Sequence, residues 1–454
     1  MPTPVTKVIP VTDSPTRAET HRITPAALVV WLAALAIYVV AVTGRTSFGV
    51  ASVGAMRHFT VTASQVAVFT AVQVGVYAAA QIPAGILIDK FGPKKMLLVG
   101  AAVMAVGQVV LGITGHYGVA VGARVLIGAG DATAFLSVMR LLPAWFPLQK
   151  APLFTQLTSA VGQLGQFLSA VPFAWSLSRF GWSMSFVSLG AVGILVAAAA
   201  ACVLADEPPH AAQPADPAAR TRPSTIAPFP AFVQAVKNPV CWTAFFTHFS
   251  GLSFQLVFTL LWGMPLMELG MGLSPQQISS VLVVNMVVNV VTGPVIGVAS
   301  ARLGGRRWML VVAGPASTVV LWLWFLSSTG PRGFAALMLV NVVMATFAPV
   351  SNLGFDTVRE NVDRRILATA TGLANTGGFT ASMIAAQVMG YVLDYSSAGS
   401  TGYQWADFRL AYYAGAVLWA VGMTGYGLAR FKARHIISAP PKVHAAHGTG
   451  GEAH

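Results

Sequence analysis

Arg45, Arg124, Asp131, His248 and Asp356 are ionisable residues set inside long apolar stretches or at their ends. A charge is costly in lipid. Such a residue turns toward the protein interior or a watery cavity and marks a path for ions or substrate. Arg45, in AVTGRTSFGVA, offers a planar fork that fits an anionic group; alternatively it spends its charge on Asp131. Asp131 is the only acid deep within a stretch. Desolvation and a nearby guanidinium pull on its proton in opposite directions. That suits a carboxyl exchanging a proton with a cavity; the alternative is a permanent Asp131–arginine pair that never titrates. Arg124, Gly128 and Asp131 are spaced i, i+4, i+7 and share a helix face. His248, in FFTHFSGLSFQ, is either a proton relay or a hydrogen-bonded packing residue. Asp356, with Arg359, Asp363, Arg364 and Arg365 close behind, reads as loop electrostatics.

Uncharged polar and aromatic residues extend the candidate cavity. Gln73, Tyr77 and Gln81 are spaced i, i+4, i+8. Gln163, Gln166, Gln255, Asn285, Asn289 and Asn375 punctuate later apolar stretches. Asn285 and Asn289 share a face, as ligands or as glue between helices. Tyr77, Phe254 and Trp262 could stack on a substrate, although aromatics in such helices more commonly pack.

These side chains need elements to hold them. Of 454 residues, 9% are charged and 55% hydrophobic, and mean hydropathy is +0.69. Soluble domains carry about a quarter charged residues, so a soluble enzyme and a disordered chain are excluded. The net charge of +13 comes as short basic groups between apolar runs, the pattern of topology signals rather than of a nucleic-acid surface. Cys202 and Cys241 form no ligand or disulfide pattern. No nucleophilic triad and no phosphate-cradling GxxxxGK[ST] is present, so neither an enzyme nor a cofactor is expected. His444, His447 and His454 form a weak tail cluster read as disordered.

Apolar segments near the ~20 residues that cross a bilayer are predicted over 25–50, 60–88, 95–115, 118–142, 151–177, 183–205, 240–267, 275–300, 307–328, 333–357, 366–394 and 408–431. The Pro-rich stretch 206–238 divides them six and six. The expected organisation is a tail over 1–24, a six-helix bundle over 25–205, a linker over 206–238, a second bundle over 239–434 and a tail over 435–454. Of 27 Lys and Arg, 20 fall on the side of the tails and even-numbered loops; Arg57, Arg179, Arg332 and Arg409 fall on the other. The positive-inside rule then puts both termini and the linker in the cytoplasm of an inner (plasma) membrane protein.

The halves repeat. Gly85, Gly92, Lys94 and Lys95 recur 212 residues later as Gly297, Gly304, Arg306 and Arg307. Internal repeats are a hallmark of secondary transporters.

At this point the chain resembles the major facilitator superfamily over nearly its whole length. Gly85, Asp89, Lys90, Gly92, Lys94 and Lys95 resemble its loop signature G-x3-D-[RK]-x-G-[RK]-[RK], with Pro93 inserted before the last basic pair. The second copy has Ala301 where the acid belongs. Arg124, Gly128, Gly130 and Ala132 resemble R-x3-G-x-G-x-A on the fourth span. The antiporter signature ending GP-x2-GG is absent from the fifth span, where Pro172 follows Val171.

The resemblance implies an all-α membrane fold of twelve helices in two pseudo-symmetric bundles. Spans 1, 4, 7 and 10 would line a central cavity, and the Asp89 loop would act as a cytoplasmic latch. It implies proton transfer linked to Arg124, the alternative being a structural arginine that ties helices together through backbone carbonyls, and here Asp131 would be the coupling group. Arg45, Tyr77, Gln163, His248, Gln255, Trp262 and Asn285 are the candidate substrate residues. The expected activity is alternating-access transport of a small organic anion by a monomer in the bilayer, with protons as coupling ions. A polyspecific drug exporter and a transporter-like receptor are the alternatives.

Overall fold

The computed structural model describes residues 23–61, 63–208, 227–397 and 403–437; among these there is helix and no strand. Residues 1–22, most of the expected linker and the tail from 438, with His444, His447 and His454, lie outside the described residues.

Helix starts are written in the sequence as a small or polar residue followed by proline. Thr24 Oγ1 accepts from Ala27 N at 3.2 Å and Pro25 opens α1 (Pro25–Phe59). Gly92, at φ 86, precedes Pro93 of α3 (Pro93–Ile113). Ser274 and Gln277 form a reciprocal capping box at Pro275. Proline costs nothing at these positions, because its missing N–H would be unpaired in any case.

The first half consists of α1, α2 (Ala63–Phe91), α3, α4 (Tyr117–Trp145) and a long pair, α5 (Ala151–Leu168) and α6 (Ala174–Ala201). A π turn at Ser169–Phe173, around Pro172, links the pair. Gly181, at φ 77 and ψ −175, breaks α6 and separates the fifth crossing from the sixth. Within the expected linker lies a short helix, α7 (Pro228–Lys237). The second half begins with α8 (Pro239–Val257), which continues through π turns and the short α9 (Gly263–Pro265) to Gly270. Then come α10 (Pro275–Leu303) and α11 (Trp308–Leu326). α12 (Phe334–Phe347) and α13 (Leu353–Asn361), joined by a 3-10 turn, form one crossing. α14 (Leu367–Ser396) and α15 (Trp405–Ile437) complete the set.

The twelve crossings match the predicted segments, with two ends longer than expected. α1 reaches Phe59 because its last turns join an aromatic cluster with Phe69 and Trp182, and α15 reaches Ile437. Among the described residues, eight helical stretches are long and apolar enough to cross a membrane, and one of them, Ala151–Ala201, holds two crossings. The three others, α8 to Gly270, α14 and α15, are less apolar. Large apolar residues such as Leu195, Val291 and Val417 face outward, as a lipid-facing surface requires. Because the described crossings are even in number, Pro25 and Ile437 lie on one face, called here the terminal face.

The main core fills the first half and runs on into Val240, Ala244, Phe355, Leu367 and Leu373 of the second, and a separate core lies within the second half. His58 and Trp182 stack in the first, and Trp322 and Tyr412 in the second. The halves meet where the second crossing of one packs on the fifth of the other: α2 on α14, and α5 on α10. Helices in lipid gain little from the hydrophobic effect and rely on close van der Waals approach, so small residues mark these crossings. A Cβ on Gly85 would stand 2.5 Å from the Ala368 carbonyl oxygen. Gly85→Val is therefore expected to cost about 1–3 kcal/mol of this closure. Faster thiol labelling of a cysteine placed at Ala84, approached from the terminal face, checks it; unchanged labelling would contradict it.

Candidate functional site

α1 and α4 bring the buried charges together. Arg45 Nε lies 3.1 Å from Asp131 Oδ2; the Asp131 side chain is 0% exposed and that of Arg45 is 22% exposed. The Arg45 guanidinium also covers the Tyr77 ring on α2, its Cζ 4.9 Å from the centroid. Arg124 stands two turns before Asp131 on α4 and is 1% exposed. Its Cζ is 4.6 Å from the Phe48 ring, and Nε and Nη1 have no hydrogen-bond partner among the described residues. Gln73 Nε2 is likewise unpartnered. Gly128 makes this packing possible, because a Cβ there would stand 2.7 Å from the Gln73 carbonyl oxygen. The buried cluster thus holds two guanidiniums against one carboxylate, a surplus of one positive charge.

Below it, toward the terminal face, the halves are clasped. Asn375 Nδ2 on α14 donates to Gln81 Oε1 at 2.7 Å and to the Tyr77 hydroxyl at 3.3 Å. Phe379 packs edge-on to Tyr77 at 4.9 Å. On the other flank Gln156 Nε2 donates to the Pro349 carbonyl at 2.8 Å, and Asn352 Nδ2 donates to Gln156 Oε1 at 3.0 Å. Toward the opposite face, Thr70 and Ala71 on α2 and Met286 and Val287 on α10 are exposed. The molecule is closed on the terminal face.

The Asp89 loop is part of that closure. Asp89 accepts from Ala368 N at 2.9 Å, Thr369 N at 2.8 Å and Thr369 Oγ1 at 2.7 Å, capping the start of α14. Its cationic neighbour is Arg140 on α4, 3.5 Å away. The loop lysines do not supply it: Lys90 and Lys95 lie on the Phe91 ring. Lys94 contributes its backbone N–H, which Asp206 accepts at 2.7 Å beside Gly92. In the turn leading into α14, hydrogen bonds from Arg365 hold the Asp363 carboxyl below its ordinary range.

The second copy lacks the acid at Ala301, yet the same flank of its half is tied down by other residues. Asp356 is buried, accepts from Ser300 Oγ at 2.7 Å and pairs with Arg359 at 2.8 Å. Arg359 donates in turn to Thr155 Oγ1 on α5, across the halves. The reading of Asp356 as loop electrostatics is corrected: the 3-10 turn at Ala348–Asn352 tips α13 inward and buries it. Arg307 makes a two-pronged bond to Glu360, at 2.8 and 2.9 Å.

The remaining sequence candidates are placed as follows. His248 faces the Ser351 carbonyl, Nδ1 to O 3.2 Å, and packs on Phe355. Gln255 Nε2 donates to Asn285 Oδ1 at 2.6 Å, and Asn285 Nδ2 to Asn341 Oδ1 at 2.8 Å, so these amides bind one another within the second half. Trp262 Nε1 donates to the Ala386 carbonyl at 3.1 Å, and Gln163 Oε1 accepts from Gln166 at 2.7 Å. Arg45, Tyr77, Arg124 and Asp131 are brought together; Gln255, Asn285, Trp262 and Gln163 are committed elsewhere. Among the described residues no group of His, Cys, Asp and Glu could hold a metal ion.

Comparison with known proteins agrees with this architecture. The family model described as Major Facilitator Superfamily matches residues 34–386. A probable sulfoacetate transporter of Cupriavidus necator is 24% identical over 373 residues, 79% of this chain and 85% of that protein. A hexuronate transporter of Bacillus subtilis is 22% identical over 330 residues, 68% of this chain and 74% of that protein. Among solved structures, the proton:xylose symporter XylE superposes with a TM-score of 0.67 at 13% identity, covering 90% of this chain and 96% of that one.

Proposed function

This chain belongs to the major facilitator superfamily, and we propose that it carries a small organic anion across the membrane by alternating access, coupled to protons through Asp131. The observation that carries this reading is the surplus charge. Arg124 is buried with two N–H groups unpaired, while the single carboxylate faces Arg45. An unpaired buried cation is costly, and a substrate carboxylate or sulfonate would neutralise it and take up its free donors. Relatives named for sulfoacetate and hexuronate, both anions, support the class. We assign the terminal face, rich in Lys and Arg, to the cytoplasm; on this reading the closed face is the inner one. Clasp and caps would break together as the halves rock.

The test is uptake of labelled carboxylates and sulfonates into vesicles bearing the purified protein and an imposed pH gradient. Accumulation of an anion is expected. Arg124→Ala should weaken its binding about 100-fold or more, since the charge-assisted bonds from Nε and Nη1, about 1.5–3 kcal/mol each, are lost. Efflux of a lipophilic cation without anion uptake would replace this reading with drug export. Ligand binding without any flux would replace it with a receptor.

A further inference from the structure

The second copy of the repeated loop leaves basic charge unused. Arg307 is taken by Glu360 and Arg359 by Asp356. Arg302, Arg306, Arg430, Lys432 and Arg434 have no carboxylate within 4.0 Å among the described residues. The end of α15 lies beside the start of α11, and there two guanidiniums rest on aromatic rings. Arg430 Cζ is 5.8 Å from the Trp308 centroid, and Arg434 Cζ is 4.1 Å from that of Phe431. Arg430 also reaches the Tyr426 hydroxyl. Arg434 contacts His435, Nε to Nε2 3.2 Å.

Below these cations runs apolar surface. Val417, Val421, Leu428 and Phe431 follow one face of α15, all exposed. Met309, Val312 and Leu323 do the same on α11. Two outward apolar faces therefore end, at the terminal face, in a cluster of cations held by ring faces. A ligand matching both parts carries an anionic head and acyl chains. A soluble anion would leave the apolar faces unmatched, and a neutral lipid would leave the guanidinium donors unmatched.

We infer that the junction of α11 and α15 is a seat for the phosphate of an anionic phospholipid, with Arg430 and Arg434 as its principal donors and Arg306 at its rim. Spare charge beside the second loop copy thus binds the leaflet, whereas in the first copy the loop closes the carrier. Basic residues near an anionic leaflet each add measurably to affinity, and the rings hold these two in place for it.

The test uses the full-length protein in detergent titrated with phosphatidylglycerol or phosphatidylcholine. Native mass spectrometry counts retained lipid and thermal unfolding reports stabilisation. Phosphatidylglycerol should be retained in preference to phosphatidylcholine. Arg430→Gln with Arg434→Gln should lower its apparent affinity about fivefold per charge removed. Arg306→Gln, exposed and away from packing, serves as a second variant if the double one unfolds and should show a smaller loss. Lys150→Gln, a basic residue of the same face in the other half, should change nothing. Undiminished phosphatidylglycerol retention in the variants, an equal loss in Lys150→Gln, or equal stabilisation by inorganic phosphate alone would each overturn the seat.

Discussion

In reconstituted vesicles, Asp131→Asn is expected to abolish accumulation driven by a pH gradient while leaving exchange of labelled for unlabelled anion intact. Asparagine keeps the shape of the side chain but cannot carry or exchange the proton. Internal label should then rise only to the external concentration. The substitution also removes the one carboxylate facing Arg45 and Arg124, so the surplus positive charge grows from one to two. Opposite charges a few ångströms apart in a partly solvated site interact by a few kcal/mol at an effective dielectric near 20. After screening by the cavity, anion binding should tighten by about tenfold, and release should slow in proportion. The signature is a pair of results: lost concentration and tighter binding. Gradient-driven accumulation equal to that of the unsubstituted protein would remove Asp131 from the coupling role.

The second large effect is expected at the closure of the terminal face, where the two flanks should respond unequally. Asp89→Ala should open it more than Asp356→Ala. Asp89 on α2 gives up three hydrogen bonds to the start of α14, all across the halves, and bonds to a charged acceptor are worth about 1.5–3 kcal/mol each. Loss of two of them, about 3 kcal/mol at the lower end, is roughly a 150-fold change in the closed-to-open ratio. Asp356 pairs with Arg359 on its own helix, so its removal leaves a buried charge whether the face is closed or open, and what it contributes to closure is the one bond from Arg359 to Thr155. The measurement is alkylation from the terminal face of Ala160→Cys, a buried position on α5, in a Cys202→Ser background, since Cys202 is exposed and Cys241 buried. Labelling in Asp356→Ala that matched or exceeded Asp89→Ala would show that the second flank carries the closure.

The fold was legible because lipid imposes a coarse and repetitive demand. A run such as Pro93–Ile113 announces itself by hydropathy alone. α14, with its threonines, asparagine and glycines, is weaker by that measure. The charged centre was legible for the same reason: Arg45, Arg124 and Asp131 are conspicuous in apolar surroundings, and helix spacing put two of them on one face. Tyr38 was missed, although it stands two helical turns before Arg45 on α1, and its hydroxyl bonds to the Arg45 guanidinium. What could not be read were partners supplied by other helices. Arg140 on α4 carries no mark of its partner in the sequence, because Asp89, 3.5 Å away, comes from α2. Asp356 looked solvated because three arginines follow it, and sequence spacing does not show that a 3-10 turn carries it inward. Gln255 and Asn285 looked like ligands because amides in apolar helices invite that reading, but their hydrogen bonds run to each other.

The imbalance of two guanidiniums and one carboxylate also has an electrical consequence. In an alternating-access cycle the site changes sides, and its charge then crosses part of the membrane field. An empty site with Asp131 ionised carries one positive charge, and a site holding a monoanion with a proton on Asp131 carries one as well. A full field of 100 mV acts on an elementary charge with about 2.3 kcal/mol, and a midplane site feels a fraction of it. Voltage would therefore work on both passages, in opposite senses over the cycle. With the cell interior negative, the loaded site is drawn inward and the return of the empty site is opposed by the same amount. The gradient a monoanion reaches should then not depend on the membrane potential, whereas the rate-limiting step moves to the recovery of the empty carrier as the membrane hyperpolarises.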